Sequence, residues 1–145
     1  MVVAVAVAVV GVVAAVARRR RPDPPTQAPV HQAPTQLDRR DFGDPAEPWL
    51  VVAFTSRTCD GCAQTWAKAE VLASSEVAVR EVEYAEQREL HERYSITGVP
   101  TVVVAGADGA VVWSSIGPPS ATHLWAAVAR ARDPESVPPG CGGDH

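Results

Sequence analysis

Cys59 and Cys62 have the side-chain types and the spacing that most clearly indicate chemistry in this sequence. The chain contains three cysteines, which is too few for a small domain held together by disulfides. Two of them form the pattern Cys-x-x-Cys, and thiolates at this spacing either exchange disulfides or bind a metal ion. The third, Cys141, stands alone near the end of the chain.

The segments on either side of the pair predict how it is positioned. Residues 49–54 (WLVVAF) form an apolar run with the length of a strand covered on both faces, and from residue 60 to about 74 apolar residues recur at helical spacing. The pair therefore lies where a strand ends and a helix begins, and the free N–H groups and dipole of a helix start lower the pKa of a thiol. Cys59 is predicted to be the nucleophile, and Cys62, one helical turn further on, the thiol that resolves a mixed disulfide.

The rest of the chain predicts an α/β domain without internal repeats. We expect a strand at 77–84, a short helix at 86–94, strands at 101–105 and 110–114, and a final helix that begins after Ser120. Residues 107–109 (Ala-Asp-Gly) predict the turn of a hairpin, and Ser120 is a suitable N-cap. Large aromatic residues are expected in the core and histidines on the surface: Trp66, Trp113 and Trp125, and His31, His91 and His123.

These segments resemble the thioredoxin family over roughly residues 37–132. The resemblance rests on WLVVAFTSRTCDGC, on YSITGVPTVVV, on the hairpin around Asp108-Gly109 and on Gly117 ahead of the final helix. It implies an α/β thioredoxin fold, in which helices flank a central mixed β-sheet, and the activity of a thiol–disulfide oxidoreductase that needs no cofactor. It also implies two kinds of partner, protein disulfide or dithiol substrates and a redox partner protein.

The same resemblance implies where a substrate binds. In the family, the proline that matches Pro100 follows a cis peptide bond and faces the cysteine pair, and the backbone that matches Val99 pairs with an extended substrate segment. Val99 and Pro100 are therefore expected to bind substrate. From the residues alone, Gly98 and Pro100 before an apolar strand would indicate only a turn.

The site departs from the family's pattern at four positions. Thr58 stands where the family has a tryptophan, Asp60-Gly61 stands where it has Gly-Pro, and Ala53 replaces a buried aspartate that helps to move the proton of the second thiol. Asp60 adds negative charge beside the thiolate, and Gly61 loosens the start of the helix. Thr58, Asp60 and Gly61 are therefore predicted to tune the site, toward slower exchange or an unusual reduction potential.

Two charged residues near the pair each have two interpretations. Arg57 could stabilise the thiolate of Cys59, or it could be a loop arginine in solvent. Glu81 corresponds approximately to the family's charged residue beneath the site, so it could transfer a proton or could be a surface residue of a strand.

The first 17 residues (MVVAVAVAVVGVVAAVA) contain no charged side chain and are predicted to form a transmembrane helix. At ~1.5 Å per residue such a helix is about 25 Å long, which is short but sufficient if flanking arginines reach outward. Positive charge comes only afterwards, at Arg18–Arg21, so we expect a retained anchor and not a cleaved signal peptide. The positive-inside rule then places the soluble part in the cytoplasm, on a single-pass membrane protein.

Four regions follow from this pattern: the membrane helix at 1–17, a basic and proline-rich linker at 18–34, a thioredoxin-like domain at 35–133 and a disordered tail at 134–145. The formal net charge of −4 argues against nucleic acid as a partner. The domain is expected to be a monomer.

Two alternatives to catalysis remain open. A binding or chaperone-like module on the same fold could carry a vestigial pair, which Thr58 and Ala53 favour and the retained Cys62 opposes. Zinc bound by the three cysteines and His145 is less favoured, since structural zinc ligands come in closely spaced pairs, and we expect no metal.

Overall fold

The computed structural model describes residues 31–135. In that range a short 3-10 helix at Arg39–Phe42 precedes four strands and three α-helices. The strands are β1 (Trp49–Thr55), β2 (Val77–Glu83), β3 (Thr101–Ala105) and β4 (Val111–Ile116), and the helices are α1 (Cys62–Glu70), α2 (Arg88–Arg93) and α3 (Ala121–Arg132).

The strands form one mixed sheet in the order β2-β1-β3-β4. β1 pairs in parallel with β2, and its last residue, Thr55, lies opposite Glu83. β1 and β4 both pair antiparallel with β3. Because β1 and β2 run in the same direction, the loops that follow them leave the sheet at the same edge.

Alternate residues of β1 point to opposite faces of the sheet and enter two separate cores. Leu50, Val52 and Phe54 pack in a cluster with Phe42 of the 3-10 helix. Val51 and Ala53 pack on the other face with residues of α1 and α3: Ala69, Leu124 and Val128. The first cluster also packs against Leu90 and Tyr94. The predicted arrangement, a mixed sheet flanked by helices, is confirmed.

Local signals explain the turns between these elements. Ser120 caps α3 as predicted, since its Oγ accepts a hydrogen bond from His123 N at 3.2 Å. Gly109, in the β3–β4 turn, has a φ of 78°, and a Cβ there would lie 2.0 Å from the carbonyl oxygen of Leu37. Only glycine satisfies both conditions at this turn.

Several predicted features were wrong in detail. The helix predicted at 86–94 is α2, which begins at Arg88 and spans six residues. The helix predicted to continue to about residue 74 is α1, which ends at Glu70, where the chain turns. Trp125 is 47% exposed because its indole lies on the outside of α1 and donates to the carbonyl oxygen of Lys68 at 3.0 Å. Trp66 and Trp113 pack against the core as predicted.

His91 is buried and not on the surface as predicted. Its Nε2 lies 2.9 Å from the carbonyl oxygen of Val82, and its ring meets Phe54 and Tyr84 edge to face. The single hydrogen bond to Val82 and the two ring contacts compensate for burying a polar side chain.

The predicted membrane helix, most of the linker and most of the tail lie outside the described residues. Between residues 31 and 135, no helix has the length and apolar character needed to cross a membrane. The domain boundaries at residues 34 and 133 stay predictions.

Candidate active site

Cys59 and Cys62 are joined by a disulfide at the carboxyl end of β1. Their Cα atoms are 5.4 Å apart. Cys59 lies in the turn before α1 and is partly exposed, whereas Cys62 is the first residue of α1 and is only 3% exposed. The predicted placement, between a buried strand and a helix start, is therefore what the structure shows.

Backbone hydrogen bonds build the turn that holds the pair. Cys59 N donates to the carbonyl oxygen of Ser56 at 3.1 Å, and Cys62 N donates to that of Cys59 at 3.2 Å. Thr65 donates to the carbonyl oxygen of Gly61 from both its N–H and its hydroxyl. One tight turn thus continues directly into the first turn of α1.

Gly61 lets a second loop approach the cysteine turn. A Cβ at this position would lie 3.2 Å from Cγ of Pro118. The neighbouring Gly117 donates its N–H to the carbonyl oxygen of Pro100 at 2.8 Å. Through these contacts the segment with Pro100 is connected to the cysteine turn.

The peptide bond between Val99 and Pro100 is cis, as the resemblance implied. Pro100 is buried and Val99 is partly buried, directly before β3. One residue earlier, the ring of His31 lies over Gly98, and His31 Nδ1 is 2.9 Å from the hydroxyl of Thr97. Sequence patterns gave no indication that His31 reaches this segment.

Of the predicted tuning residues, Thr58 and Asp60 are exposed and Gly61 is partly exposed. The hydroxyl of Thr58 is 3.1 Å from that of Ser56, within the same turn. Ala53 is fully buried, so a methyl group lies where the resemblance implied an aspartate.

Thr55 is a site residue that the sequence interpretation missed. It is 2% exposed, and its hydroxyl donates to Oε1 of Glu81 at 2.8 Å. Both residues lie on the sheet face that α1 covers, because they alternate with Phe54 and Val82 of the other core. A hydroxyl at the end of an otherwise apolar run was the available signal. Glu81, although exposed, thus has a hydrogen-bonded partner in the last residue of β1.

Arg57 forms an ion pair with Glu86, and both side chains are largely exposed. This contact favours the interpretation of Arg57 as a loop arginine. Its backbone N–H donates to Oε1 of Glu83 at 3.1 Å. Burial alone would raise the pKa of the Glu83 carboxyl, but hydrogen bonds from the N–H groups of Arg57, Glu86 and Ala85 outweigh it and lower that pKa.

The region between residues 31 and 135 contains no group of three or more histidine, cysteine or acidic residues that could hold a metal ion. Cys141 and His145 of the zinc alternative lie outside it. A cavity of about 700 Å³ opens between the 3-10 helix, the end of α2 and the β3–β4 turn, and its lining includes no residue of the cysteine turn.

Comparison with known proteins shows the fold. The sequence matches no protein-family model and no curated protein. Solved structures do match. Thioredoxin from Fasciola hepatica is 28% identical, and the match covers 63% of this chain and 88% of that protein with a TM-score of 0.53. This fold is thioredoxin-like.

Two further matches agree. A mutant thioredoxin from Halobacterium salinarum is 24% identical, with 78% of this chain and 99% of that one covered and a TM-score of 0.54. The oxidised mitochondrial thioredoxin 3 of Saccharomyces cerevisiae is 22% identical, with 66% and 90% covered and a TM-score of 0.52. A thioredoxin-like fold that carries a close cysteine pair supports thiol–disulfide redox chemistry.

Proposed function

We propose that this chain is a thiol–disulfide oxidoreductase that acts on protein substrates through Cys59 and Cys62. The observation that carries the proposal is the disulfide between a partly exposed cysteine in a turn and a buried cysteine at a helix start. A cysteine in such a place is reactive as a thiolate because of the helix N-terminus. A purely structural disulfide would have no need of these surroundings.

The exchange proceeds in two steps when the reduced protein meets a substrate disulfide. The thiolate of Cys59 attacks one substrate sulfur, which forms a mixed disulfide and releases the other substrate sulfur as a thiolate. The thiol of Cys62 loses its proton and attacks the sulfur of Cys59, which frees the second substrate thiolate. The substrate gains two electrons, and the protein is left with the Cys59–Cys62 disulfide. A redox partner protein reverses the change.

Val99 and Pro100 form the proposed substrate-binding segment. The contacts from Gly61 through Pro118 and Gly117 to Pro100 support this assignment, because they connect that segment to the cysteine turn. An extended substrate segment would pair with the backbone of Val99. Thr58, Asp60 and Gly61 then tune the pair, through the absence of a large ring, added negative charge and a freer backbone.

The test is insulin reduction with dithiothreitol as the electron donor. The wild-type protein should accelerate precipitation of the insulin B chain, Cys59→Ser should not, and Cys141→Ser should match the wild type. If the wild type gives only the rate of dithiothreitol alone, the proposed activity is wrong.

A binding module with a vestigial pair is the second candidate, and the fully buried Ala53 favours it. Without a carboxylate at that position, proton removal from the buried Cys62 thiol lacks one route. Such a module would bind unfolded or extended polypeptide equally well in its Cys59→Ser form, and it would leave insulin intact. The insulin assay therefore separates the two functions.

We propose in addition that residues 1–17 anchor the protein in a membrane as a single span, with the domain in the cytoplasm as a monomer. The apolar composition of that segment and the arginines at 18–21 support this orientation. A membrane-impermeant maleimide, applied to intact cells after mild reduction, should label Cys59 only after lysis. Ready labelling on whole cells would place the domain outside.

A further inference from the structure

Two loops meet beside the cysteine pair because β1 and β2 are parallel neighbours. The first loop follows Thr55 and contains the cysteine turn, and the second follows Glu83 and leads to α2. Tyr84 N donates to the carbonyl oxygen of Thr55 at 2.9 Å, which extends the strand pairing by one step. Beyond that point the ladder ends, and the loops need other contacts to keep their relative position.

The carboxylate of Glu83 provides those contacts. Its Oε1 accepts from Arg57 N at 3.1 Å in the first loop, and its Oε2 accepts from Ala85 N at 2.8 Å and Glu86 N at 3.1 Å in the second. We call Glu83 with these three N–H groups the Glu83 clasp. Hydrogen bonds from backbone N–H groups to an ionised carboxylate are among the stronger ones in proteins.

The clasp acts close to the nucleophile. Arg57 is the second residue of the turn that closes with the hydrogen bond from Cys59 N to Ser56. Holding Arg57 N therefore holds the turn that orients Cys59. The outer contact between the same loops, the ion pair of Arg57 with Glu86, is exposed and contributes little by comparison.

We propose that Glu83 is a positioning residue that sets the redox equilibrium of the Cys59–Cys62 pair. This inference rests on the proposed function only for the use that the protein makes of the equilibrium between dithiol and disulfide. In the dithiol form no covalent bond restrains the turn, so the clasp keeps the two sulfurs close together. Preorganised thiols have a high effective concentration toward each other, which favours the disulfide. Loosening the turn gives the dithiol form more conformational entropy and makes the disulfide less favourable.

The measurement is equilibration of the protein in glutathione buffers. One molecule of oxidised glutathione takes two electrons from the dithiol, so the products are the Cys59–Cys62 disulfide and two molecules of reduced glutathione. For Glu83→Ala the equilibrium constant toward the protein disulfide should fall about three- to tenfold, where tenfold corresponds to ~30 mV. Glu83→Gln should give an intermediate value, because its amide oxygen can still accept from one of the loops.

Two control variants are used. One changes a side chain in the same two loops as Glu83, and the other removes a negative charge elsewhere. Arg57→Ala removes the outer ion pair but keeps the N–H that Glu83 binds, and it should change the constant less than about twofold. Glu89→Ala, an exposed acid of α2, should leave it unchanged and corrects for net charge. All variants carry Cys141→Ser so that only one disulfide can form within the chain.

A folded Glu83→Ala protein whose constant lies within twofold of the wild type would overturn the proposal. If that variant does not fold, Glu83→Gln alone decides, since a wild-type constant for it would have the same meaning. Glutathione equilibrates with the pair whether or not insulin is a substrate. The experiment thus tests the clasp separately from the proposed activity, which fails only in the insulin assay.

Discussion

The two ends of β1 are built in different ways. At its amino end, the guanidinium of Arg39 donates to the carbonyl oxygens of Gly106, Pro45 and Glu47 at 2.9, 2.8 and 2.5 Å. At its carboxyl end, the cysteine turn is held by backbone hydrogen bonds and by the Glu83 clasp. One end joins distant segments through a single side chain, and the other leaves Cys59 partly exposed.

The amino end has a second polar connection. The hydroxyl of Tyr94 donates to Asp41 at 2.5 Å and accepts from Asp38 N at 3.0 Å, so it ties the end of α2 to the 3-10 helix. Burial and the bond to Asp41 raise the pKa of Tyr94 to about 12. Contacts that stabilise the fold and the residues of the redox site thus lie at opposite ends of one strand. Substitutions at the amino end should change the free energy of unfolding, and substitutions at the carboxyl end should change redox activity.

The largest effect we expect is at the cysteine end. Cys62→Ser, in a Cys141→Ser background, should lower insulin reduction on the order of a hundredfold, because the mixed disulfide on Cys59 is no longer resolved. The trapped adduct should be visible on a non-reducing gel. The free energy of unfolding should fall by no more than about 2 kcal/mol, since the lost cross-link closes a very short loop. A large loss of stability without a trapped adduct would mean that the disulfide is structural.

Arg39→Ala should have the reverse profile. Loss of three hydrogen bonds from a charged donor should lower the free energy of unfolding by about 2 kcal/mol, as measured with urea. Insulin reduction by the folded fraction should stay within twofold of the wild type. Arg88→Ala, which removes an exposed pair with Glu92, is the matched control and should cost no more than ~0.5 kcal/mol. Arg39→Ala with normal stability and altered redox behaviour would break the separation between the ends.

Asp60→Asn should change the reactivity of Cys59 and leave the free energy of unfolding unchanged. Removing a negative charge next to Cys59 in sequence favours its thiolate, so the pKa of the Cys59 thiol in the reduced protein should fall. The rate of iodoacetamide alkylation against pH gives that value, in a background that lacks Cys141. An unchanged or raised pKa would contradict the argument from like charge. Asp108→Asn, in the distant β3–β4 turn, serves as the control.

The smallest effect we expect is a loss of local stability at low pH in the 3-10 helix, near the amino end of β1. The side-chain hydrogen bond from Arg40 holds the pKa of Asp38 at about 2, with help from the N–H of the same residue. A carboxyl with a depressed pKa contributes stability above its usual pKa near 4, and this contribution is lost as the pH falls toward 2. Amide exchange of the 3-10 helix should therefore rise, relative to α3, only below about pH 4. A rise near pH 6 would exclude Asp38 as the cause.

The apolar pattern was sufficient to predict the sheet and the place of the cysteine pair. Residues 49–54 could be assigned to a buried strand because every side chain in the run is apolar, and the adjacent Cys-x-x-Cys then had to lie at the strand's end. Ser120 and the turn at 107–109 were equally predictable, because each is a local preference of the backbone.

The contacts that depend on distant partners could not be predicted. In the sequence, Glu83 is only the last polar residue of a predicted strand. Its bonds to Ala85 and Glu86 are local, but the bond from Arg57 N forms only once β1 and β2 are paired. His91 lies in a polar segment, yet tertiary packing buries it against Phe54. Trp125 is the opposite case. Its size predicted burial, but its indole is exposed and donates a hydrogen bond to the backbone of α1.

The close approach of Gly61 to Pro118 has an evolutionary consequence. Any side chain at position 61 would place its Cβ 3.2 Å from the Pro118 ring, tighter than an ordinary van der Waals contact of 3.4–4 Å. The two positions should therefore have changed together during descent. Lineages that carry proline or alanine at 61 are expected to have a smaller residue at 118, and lineages with proline at 118 to keep glycine at 61.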